Sequence, residues 1–212
     1  CVDCDIRLRN LDLALGLTDR ALMDFSDVAL DRCPLEAAVV AHPSIPNLYL
    51  LTAPVRMRGP AVTEEDFRRM LQKIRQQFDF CLLDAPAGLG RGFQLATCAA
   101  DRCVVVTTAD ASSLRDAQHT VMELRQFGSG RLHLVVNRVR KKLLHSMHAT
   151  IDDAMDKAGL PLIGVVPEDD ALPVSLNQGT PLLLRSYNGA ASAYRNIAIR
   201  LQGGKAPLLR IR

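Results

Sequence analysis

The stretch FCLLDAPAG (Phe80–Gly88) is an apolar run that ends in an acid and continues into a loop with proline and glycine. A run of this kind between turn residues is typical of a strand buried in a parallel sheet. Ligands of such sheets bind beyond the carboxyl ends of the strands, which is where Asp84 falls. Asp84 is therefore a candidate site residue, and the alternative is an acid that only caps the next helix.

Outward from this stretch, short apolar runs alternate with segments of helical periodicity. The apolar runs predict strands over Asn47–Thr52, Phe80–Asp84, Arg102–Thr107, Leu132–Asn137 and Leu160–Val166. The periodic segments predict helices over Thr63–Phe78, Ser112–Phe127, His145–Ala158 and Ala190–Leu201. This alternation predicts an α/β fold, a three-layer sandwich with a mostly parallel sheet covered by helices on both faces.

Composition narrows the class of protein. The chain has 212 residues and a net charge of +3, which is too small to argue for nucleic acid. No apolar run approaches the roughly 20 residues that a membrane span needs. The six cysteines predict reduced thiols in a cytosolic protein, because no secretory signal is visible. Cys1 and Cys4 have CxxC spacing, but no second pair stands at zinc spacing.

Two acids alternate in the opening segment, Asp3 and Asp5. If the segment is a strand, alternation places both carboxylates on the same face. Two carboxylates at a strand end can orient a metal-bound or attacking water. The alternative is a solvated strand end without a role in chemistry.

Two later strand ends carry polar side chains. Asn137 closes one predicted strand and can offer a donor and an acceptor to a base edge, or it can simply start a turn. The last predicted strand runs into Pro167-Glu168-Asp169-Asp170, where Asp169 or Asp170 could instead cap a helix.

Five strings, in this order, carry a family resemblance. They are DCDIRLRNLDLALG (Asp3–Gly16), LLDAPAG (Leu82–Gly88), TTADASSLRDA (Thr107–Ala117), VVNR (Val135–Arg138) and GVVPEDDALPVSLNQGTPLL (Gly164–Leu183). With them the chain resembles the MinD/ParA family of deviant-Walker P-loop ATPases, and the RNLD and SSLRD strings favour the MinD branch. The resemblance implies ATP and Mg²⁺ as cofactors.

The resemblance also implies roles for individual residues. Asp5 matches the catalytic acid that orients the attacking water, while Asp84 and Asp3 match acids that hold Mg²⁺ through water. Asn10 and Asp12 match switch positions that respond to ATP and meet an activating partner. Nucleotide binding falls to residues at two strand ends, namely Asn137, Arg138, Pro167, Glu168 and Asp169.

The function implied by the resemblance is division-site placement through an ATP-dependent homodimer. A MinE/MinC-like regulator is the implied protein partner, and no specific nucleic acid is expected. The implied location is the cytoplasm, peripheral to the inner face of the plasma membrane. The short basic and apolar tail Lys205–Arg212 predicts only weak binding to an anionic membrane surface. Alternatives are a flagellar-number or ParA-type partitioning ATPase, or a non-catalytic interaction module.

The sequence departs from the family pattern in three places, one of which is the short C-terminal tail Lys205–Arg212. It contains no glycine-rich phosphate-binding loop, so we expect an N-terminally truncated ATPase domain over residues 1–202 that lacks the first strand, the loop and the first helix. A tail over residues 203–212 would follow, and this chain alone is predicted to be inactive. Arg7 stands where the family usually has glycine.

Overall fold

A computed structural model describes residues 1–6, 8–56, 59–128, 130–148 and 150–209. Arg7 and the tail residues from Arg210 onward, both singled out from the sequence, lie outside the described residues. The described chain forms two compact units, one from Cys1–Ala100 with Ser175–Pro181 and the other from Asp101–Val174 with the chain from Leu182 onward. Within these ranges no helix has the length and apolar character to cross a bilayer.

The first unit contains two small sheets. Its strands are β1 (Val2–Asp3), β2 (Val40–Ala41), β3 (Tyr49–Leu50) and β4 (Leu83–Asp84), and its helices are α1 (Leu11–Ala14), α2 (Phe25–Ala29), α3 (Leu35–Ala38), α4 (Glu64–Gln77) and α5 (Arg91–Cys98). β1 and β4 pair in parallel with Asp3 opposite Asp84, whereas β2 and β3 are antiparallel. The parallel pairing thus places two of the sequence-predicted acids side by side.

Helix α4 supplies much of the core of the first unit. It begins with a capping box, in which the Thr63 hydroxyl accepts from the Asp66 N–H and the Asp66 carboxylate accepts from the Thr63 N–H. Phe67 and Met70 are fully buried, and the Phe67 ring packs edge-on against Phe25 with centroids 5.5 Å apart. Each such side chain stabilises the unit by about 1.5–3 kcal/mol. The helix predicted over Thr63–Phe78 is confirmed, with Phe67, Met70 and Ile74 buried on one face.

The second unit has a three-stranded parallel sheet in the order β5-β6-β7. Its strands are β5 (Cys103–Thr107), β6 (Leu132–Val139) and β7 (Leu162–Pro167), and the helices are α6 (Ala111–Glu123), α7 (Lys141–Ser146), α8 (Ile151–Ala158), α9 (Ala171–Asn177, crossing the boundary in sequence) and α10 (Ala190–Leu201). Val135 packs on α10, and its neighbours Leu134 and Val136, which point to the opposite face, are also fully buried. Strand β6 is therefore covered on both faces, as predicted, whereas Val104 and Val106 leave one face of β5 exposed.

The strand expected over Asn47–Thr52 is shortened to Tyr49–Leu50, and two further predicted elements differ from the structure. The helix expected over His145–Ala158 is divided into α7 and α8, because Thr150 and Asp153 form a capping box that starts a new helix. The strand expected over Phe80–Asp84 is only Leu83–Asp84, and the Phe80 side chain is 70% exposed. In each case the apolar pattern alone overstated the length of the element.

All six cysteines are free thiols. Burial raises the pKa of the thiols of Cys4, Cys33, Cys81, Cys98 and Cys103. For Cys103 the pKa rises to about 11. The part of the tail that is described returns onto the second unit, where Asn196 Nδ2 donates to the Pro207 carbonyl at 3.1 Å and Leu209 packs on the α10 cluster.

Candidate functional site

The opening acids of the first unit are joined by a turn. The sequence predicts that alternation along a strand places Asp5 on the same face as Asp3. Strand β1 ends at Asp3, so alternation is not what brings the two residues together. Instead the Asp5 N–H donates to Asp3 Oδ1 at 2.9 Å, and the Leu11 N–H donates to Asp3 Oδ2 at 3.3 Å. Asp3 is 1% exposed. Its carboxylate therefore organises the backbone on both sides of the turn.

Asp84 stands across from Asp3 at the end of β4, with an exposed side chain. Desolvation raises the pKa of Asp84, and repulsion from Asp3 and then Asp5 raises it further. Burial likewise raises the pKa of Asp3, although the N–H donors of Asp5 and Leu11 partly offset that rise. Because these carboxylates repel one another, a cation placed beside them would lower the pKa of each.

The donor set fits Mg²⁺ held mainly through water. Across the described residues, no group of three or more His, Cys, Asp or Glu side chains forms a direct metal cage. Mg²⁺ is commonly bound by one or two carboxylates, several waters and substrate phosphates. Asp84 provides an accessible carboxylate of that kind, and Asp3 lies opposite it in the pair of strands.

Asn10 and Asp12 differ in accessibility. Asn10 is exposed at the start of α1. Asp12 is 5% exposed, and its Oδ2 lies 2.9 Å from Arg9 Nε. In this conformation Asn10 can be reached by a partner, whereas the Asp12 carboxylate holds the turn that leads into α1.

In the second unit, Asn137 lies at an irregularity between β6 and β7. The pairing register shifts between Val136 and Val139, and Arg138 adopts a left-handed backbone with φ of 55°. The Arg138 N–H donates to Asn137 Oδ1 at 2.9 Å. This bond fixes the orientation of the amide, whose NH₂ group can donate to a base edge.

Arg138 and Glu168 form an ion pair beside this amide. Arg138 Nε lies 3.0 Å from Glu168 Oε2, and Arg140 Nη2 lies 3.6 Å from Glu168 Oε1. The bond from Arg138 is the main cause that lowers the pKa of Glu168. Glu168 follows Pro167, the last residue of β7. The carboxylate is therefore neutralised within its own unit.

Asp169 connects two helix starts. Its Oδ1 accepts from the Ala171 N–H at 3.0 Å and its Oδ2 from the Ala190 N–H at 3.1 Å. Gly189 makes room for this contact, because a β-carbon there would lie 2.5 Å from Asp169 Oδ2. The Asp169 carboxylate thus caps helices, which is the alternative that the sequence left open. Through these two bonds the residue also shapes the loop after β7.

A pocket of 320 Å³ lies at the carboxyl edge of the second unit. Its lining residues are Thr108, Ala109, Asp110, Arg138, Val139, Arg140, Leu143, Leu144, Met147 and Glu168. Sequence reasoning assigned no role to Thr108 or Asp110, although both follow the end of β5, where the strand-end rule applies. Hydroxyl donors, Thr108 first and Ser112 next, hold the pKa of Asp110 well below its usual range.

Each unit carries polar side chains at the carboxyl ends of parallel strands, which is typical of α/β proteins of the nucleotide-binding class. The sequence profile of the ParA family, described as NUBPL iron-transfer P-loop NTPase, matches residues 1–202. The septum site-determining protein MinD of Bacillus subtilis is 37% identical over 210 residues, which are 98% of this chain and 78% of that protein. The chain belongs to the MinD/ParA family of P-loop NTPases.

Solved structures agree with this assignment. The MinC:MinD cell division protein complex of Aquifex aeolicus superimposes with a TM-score of 0.89 at 31% identity, covering 99% of this chain and 85% of that one. MinD of Pyrococcus horikoshii, solved with Mg-ADP, gives a TM-score of 0.81 at 26% identity and covers 94% of this chain and 81% of that one.

Proposed function

We propose that this protein is a MinD-like ATPase that regulates division-site placement. The observation that carries the proposal is the acid group of the first unit, where Asp3 faces Asp84 and Asp5 is bonded to Asp3. The MinD/ParA family of P-loop NTPases implies ATPase activity. An acid at a strand end whose pKa is raised by desolvation and then by neighbouring acids, as at Asp84, suits an enzyme that brings a cation to a phosphate.

In this proposal the residues divide the chemistry between them. Asp5 orients the attacking water, and Asp84 and Asp3 hold Mg²⁺ through water. The bound ion would neutralise charge on the phosphates during phosphoryl transfer. Base recognition uses the donor of the Asn137 amide, framed by loop residues of the second unit, namely Arg138, Pro167, Glu168 and Asp169.

The phosphate-binding loop is the missing part of this scheme. The 212 residues contain no GxxxxGK[ST] motif. In P-loop enzymes the backbone N–H groups and the lysine of that motif cradle the phosphates. The 212-residue chain by itself is therefore expected to give no ATP turnover.

The proposed partners follow from the similar proteins and the tail. Similarity to the MinD of a MinC:MinD complex supports a MinC-like partner, with a MinE-like regulator and an ATP-dependent homodimer as further parts of the proposal. The described tail offers few apolar side chains, and Leu209 packs on its own unit. Attachment to an anionic membrane surface from the cytoplasm would accordingly be weak.

A chimera tests the enzymatic part. A strand–loop–helix segment with a GKGGVGKT-type motif, taken from the Bacillus subtilis relative, is joined ahead of Cys1, and release of phosphate from ATP is measured with and without Mg²⁺. Asp84→Asn and Asp5→Asn should each lower turnover by about 100-fold or more. Asp79→Asn, an exposed acid of the same unit, serves as the control and should leave turnover unchanged. Full activity of both site variants would refute the assignment.

A second outcome concerns the class of protein. If the unmodified chain binds a MinC-like protein without nucleotide, it acts as a non-catalytic interaction module. Restoration of septum placement in a MinD-deficient bacterium by the chimera would favour division over flagellar or partitioning roles. Steeply salt-dependent binding to DNA would instead favour the partitioning branch.

A further inference from the structure

Two glycines of the first unit meet backbone to backbone. Gly16 lies two residues after α1, and Gly179 lies two residues after α9. A β-carbon on Gly16 would overlap the carbonyl oxygen of Gly179, and one on Gly179 would lie 2.7 Å from Gly16 Cα. Both residues have positive φ, +66° and +55°. Each glycine therefore leaves no room for a side chain on the other.

A helix stop explains only part of this geometry. Glycine is common just after a helix because it adopts the left-handed conformation without strain. Gly159 ends α8 with φ of +67°, and nothing lies within 4 Å of a β-carbon built there. Gly16 has the same backbone conformation but lies in close contact with another segment. The contact therefore needs a reason beyond capping.

The opposite end of α1 is attached to the acids. The Leu11 N–H, at the first residue of α1, donates to Asp3 Oδ2, and the Asp5 N–H donates to Asp3 Oδ1. Past the helix, the Gly16 N–H donates to the Leu13 carbonyl at 3.1 Å. Helix α1 thus spans the distance between the carboxylate of Asp3 and the glycine contact.

The loop that carries Gly179 is closed by its own hydrogen bonds. The Thr180 N–H donates to the Ser175 carbonyl at 3.0 Å, and the Ser175 hydroxyl donates to the Thr180 carbonyl. The Gly179 N–H donates to the Leu176 carbonyl at 3.0 Å. Ser175 is 1% exposed. A loop closed in this way can act as a fixed stop for α1.

We propose that Gly16 and Gly179 are positioning residues for the acids of the first unit. Their contact fixes the carboxyl-terminal end of α1, which keeps the Leu11 N–H on Asp3 and so sets the direction of the turn that carries Asp5. The role of this contact in ATP hydrolysis rests on the proposed function. Its effect on the hydrogen bonds of Asp3 does not depend on that function, and it can be measured in the chain without nucleotide.

Amide hydrogen exchange in the ¹⁵N-labelled 212-residue chain tests the proposal. In Gly179→Ala we expect the Asp5 and Leu11 amides to exchange about tenfold faster, because α1 loses its stop and opens locally. The exchange rates of the Phe67 and Met70 amides in α4 should stay within about twofold of those in the parent chain, because the faster exchange at Asp5 and Leu11 comes from local opening and not from global unfolding. Gly159→Ala, which adds the same strain without a contact, should leave Asp5 and Leu11 unchanged.

A second variant covers the case in which Gly179→Ala does not fold. Ser175→Ala removes the hydroxyl that closes the loop and adds no atoms, so the same two amides should accelerate by about threefold. Unchanged exchange at Asp5 and Leu11 in a folded variant would overturn the proposal. Equal acceleration in α4 would overturn it as well, because the contact would then serve general stability. An inactive ATPase chimera would leave the exchange result intact.

Discussion

The carboxyl edges of the two units have opposite electrostatics. At the edge of the first unit, desolvation raises the pKa of both Asp3 and Asp84, and repulsion from neighbouring acids raises each pKa further. At the edge of the second, the pKa of Glu168 is lowered by Arg138 and that of Asp110 by hydroxyl donors. Both edges end parallel strands, so the difference comes from the desolvation and the neighbours of each acid and not from the position of the acid in the sheet.

This difference separates two kinds of recognition. At the first edge Asp84 is repelled by Asp3 and by Asp5, which favours a cation. The second edge compensates its acids internally and presents oriented amide and hydroxyl groups, which favour hydrogen bonding to a neutral ligand surface such as a base. Removing an acid should therefore have a different result at each edge.

The largest expected effect comes from Asp3, which is charged and also accepts two backbone N–H donors. Asp3→Ala should lower the free energy of unfolding by about 2–4 kcal/mol, because the N–H groups of Asp5 and Leu11 lose their acceptor. Urea denaturation followed by circular dichroism measures it. Asp79→Ala is the matched exposed control and should change the value by less than about 0.5 kcal/mol. A loss for Asp3→Ala as small as the control would mean that those donors find water instead.

An intermediate effect is expected at Asp110, the N-cap of α6, which accepts from the Ser113 N–H at 3.0 Å. Asp110→Ala should cost about 1 kcal/mol at pH 7. Its folded pKa lies below the unfolded value of 3.8, so this contribution is complete above that value and is lost as the pH falls through the folded pKa. The difference in unfolding free energy between parent and variant should stay constant from pH 7 to about pH 4 and shrink as the pH falls below 3.8, and a difference that stays constant in acid would contradict the role of the charge.

The smallest effect has the opposite sign. Asp84→Asn should stabilise the first unit by no more than about 0.5 kcal/mol, because the side chain is exposed and solvent screens its repulsion. Since the folded pKa of Asp84 is raised, the gain is complete at pH 7 and disappears as the pH falls through that pKa toward 3.8. Thermal melts at low and high salt check this, because salt should reduce the gain. A destabilised Asp84→Asn would abolish the contrast between the edges.

Strong local signals made much of the fold predictable. Helix α4 combines a capping box with a regular apolar stripe, and β5 to β7 are continuous apolar runs, so the sequence predicts all four. Phe80 shows the limit of this reasoning, because an apolar residue next to a strand need not be buried or paired. The break between α7 and α8 depends on Thr150 and Asp153, whose capping signal competes with helical periodicity.

The strand-end rule names Asp84 and Asn137 as candidate site residues, and the structure places each of them at or near the end of a strand. The same rule applied to β5 would also have named Asp110. Asp3 and Asp5 do lie together, but through a turn that alternation does not predict. The contact of Gly16 with Gly179 joins segments remote in sequence, and no local pattern reveals it.

The cysteines have a practical consequence for handling the protein. A thiol with a pKa of about 11, as at Cys103, is ionised in about one molecule in 10⁴ at pH 7, against a few per cent for an unperturbed cysteine. Alkylation and oxidation proceed through the thiolate, so both should be slow at Cys103 and at the buried Cys4. Spectroscopic labels attached to a newly introduced surface cysteine should therefore outpace reaction at these native positions.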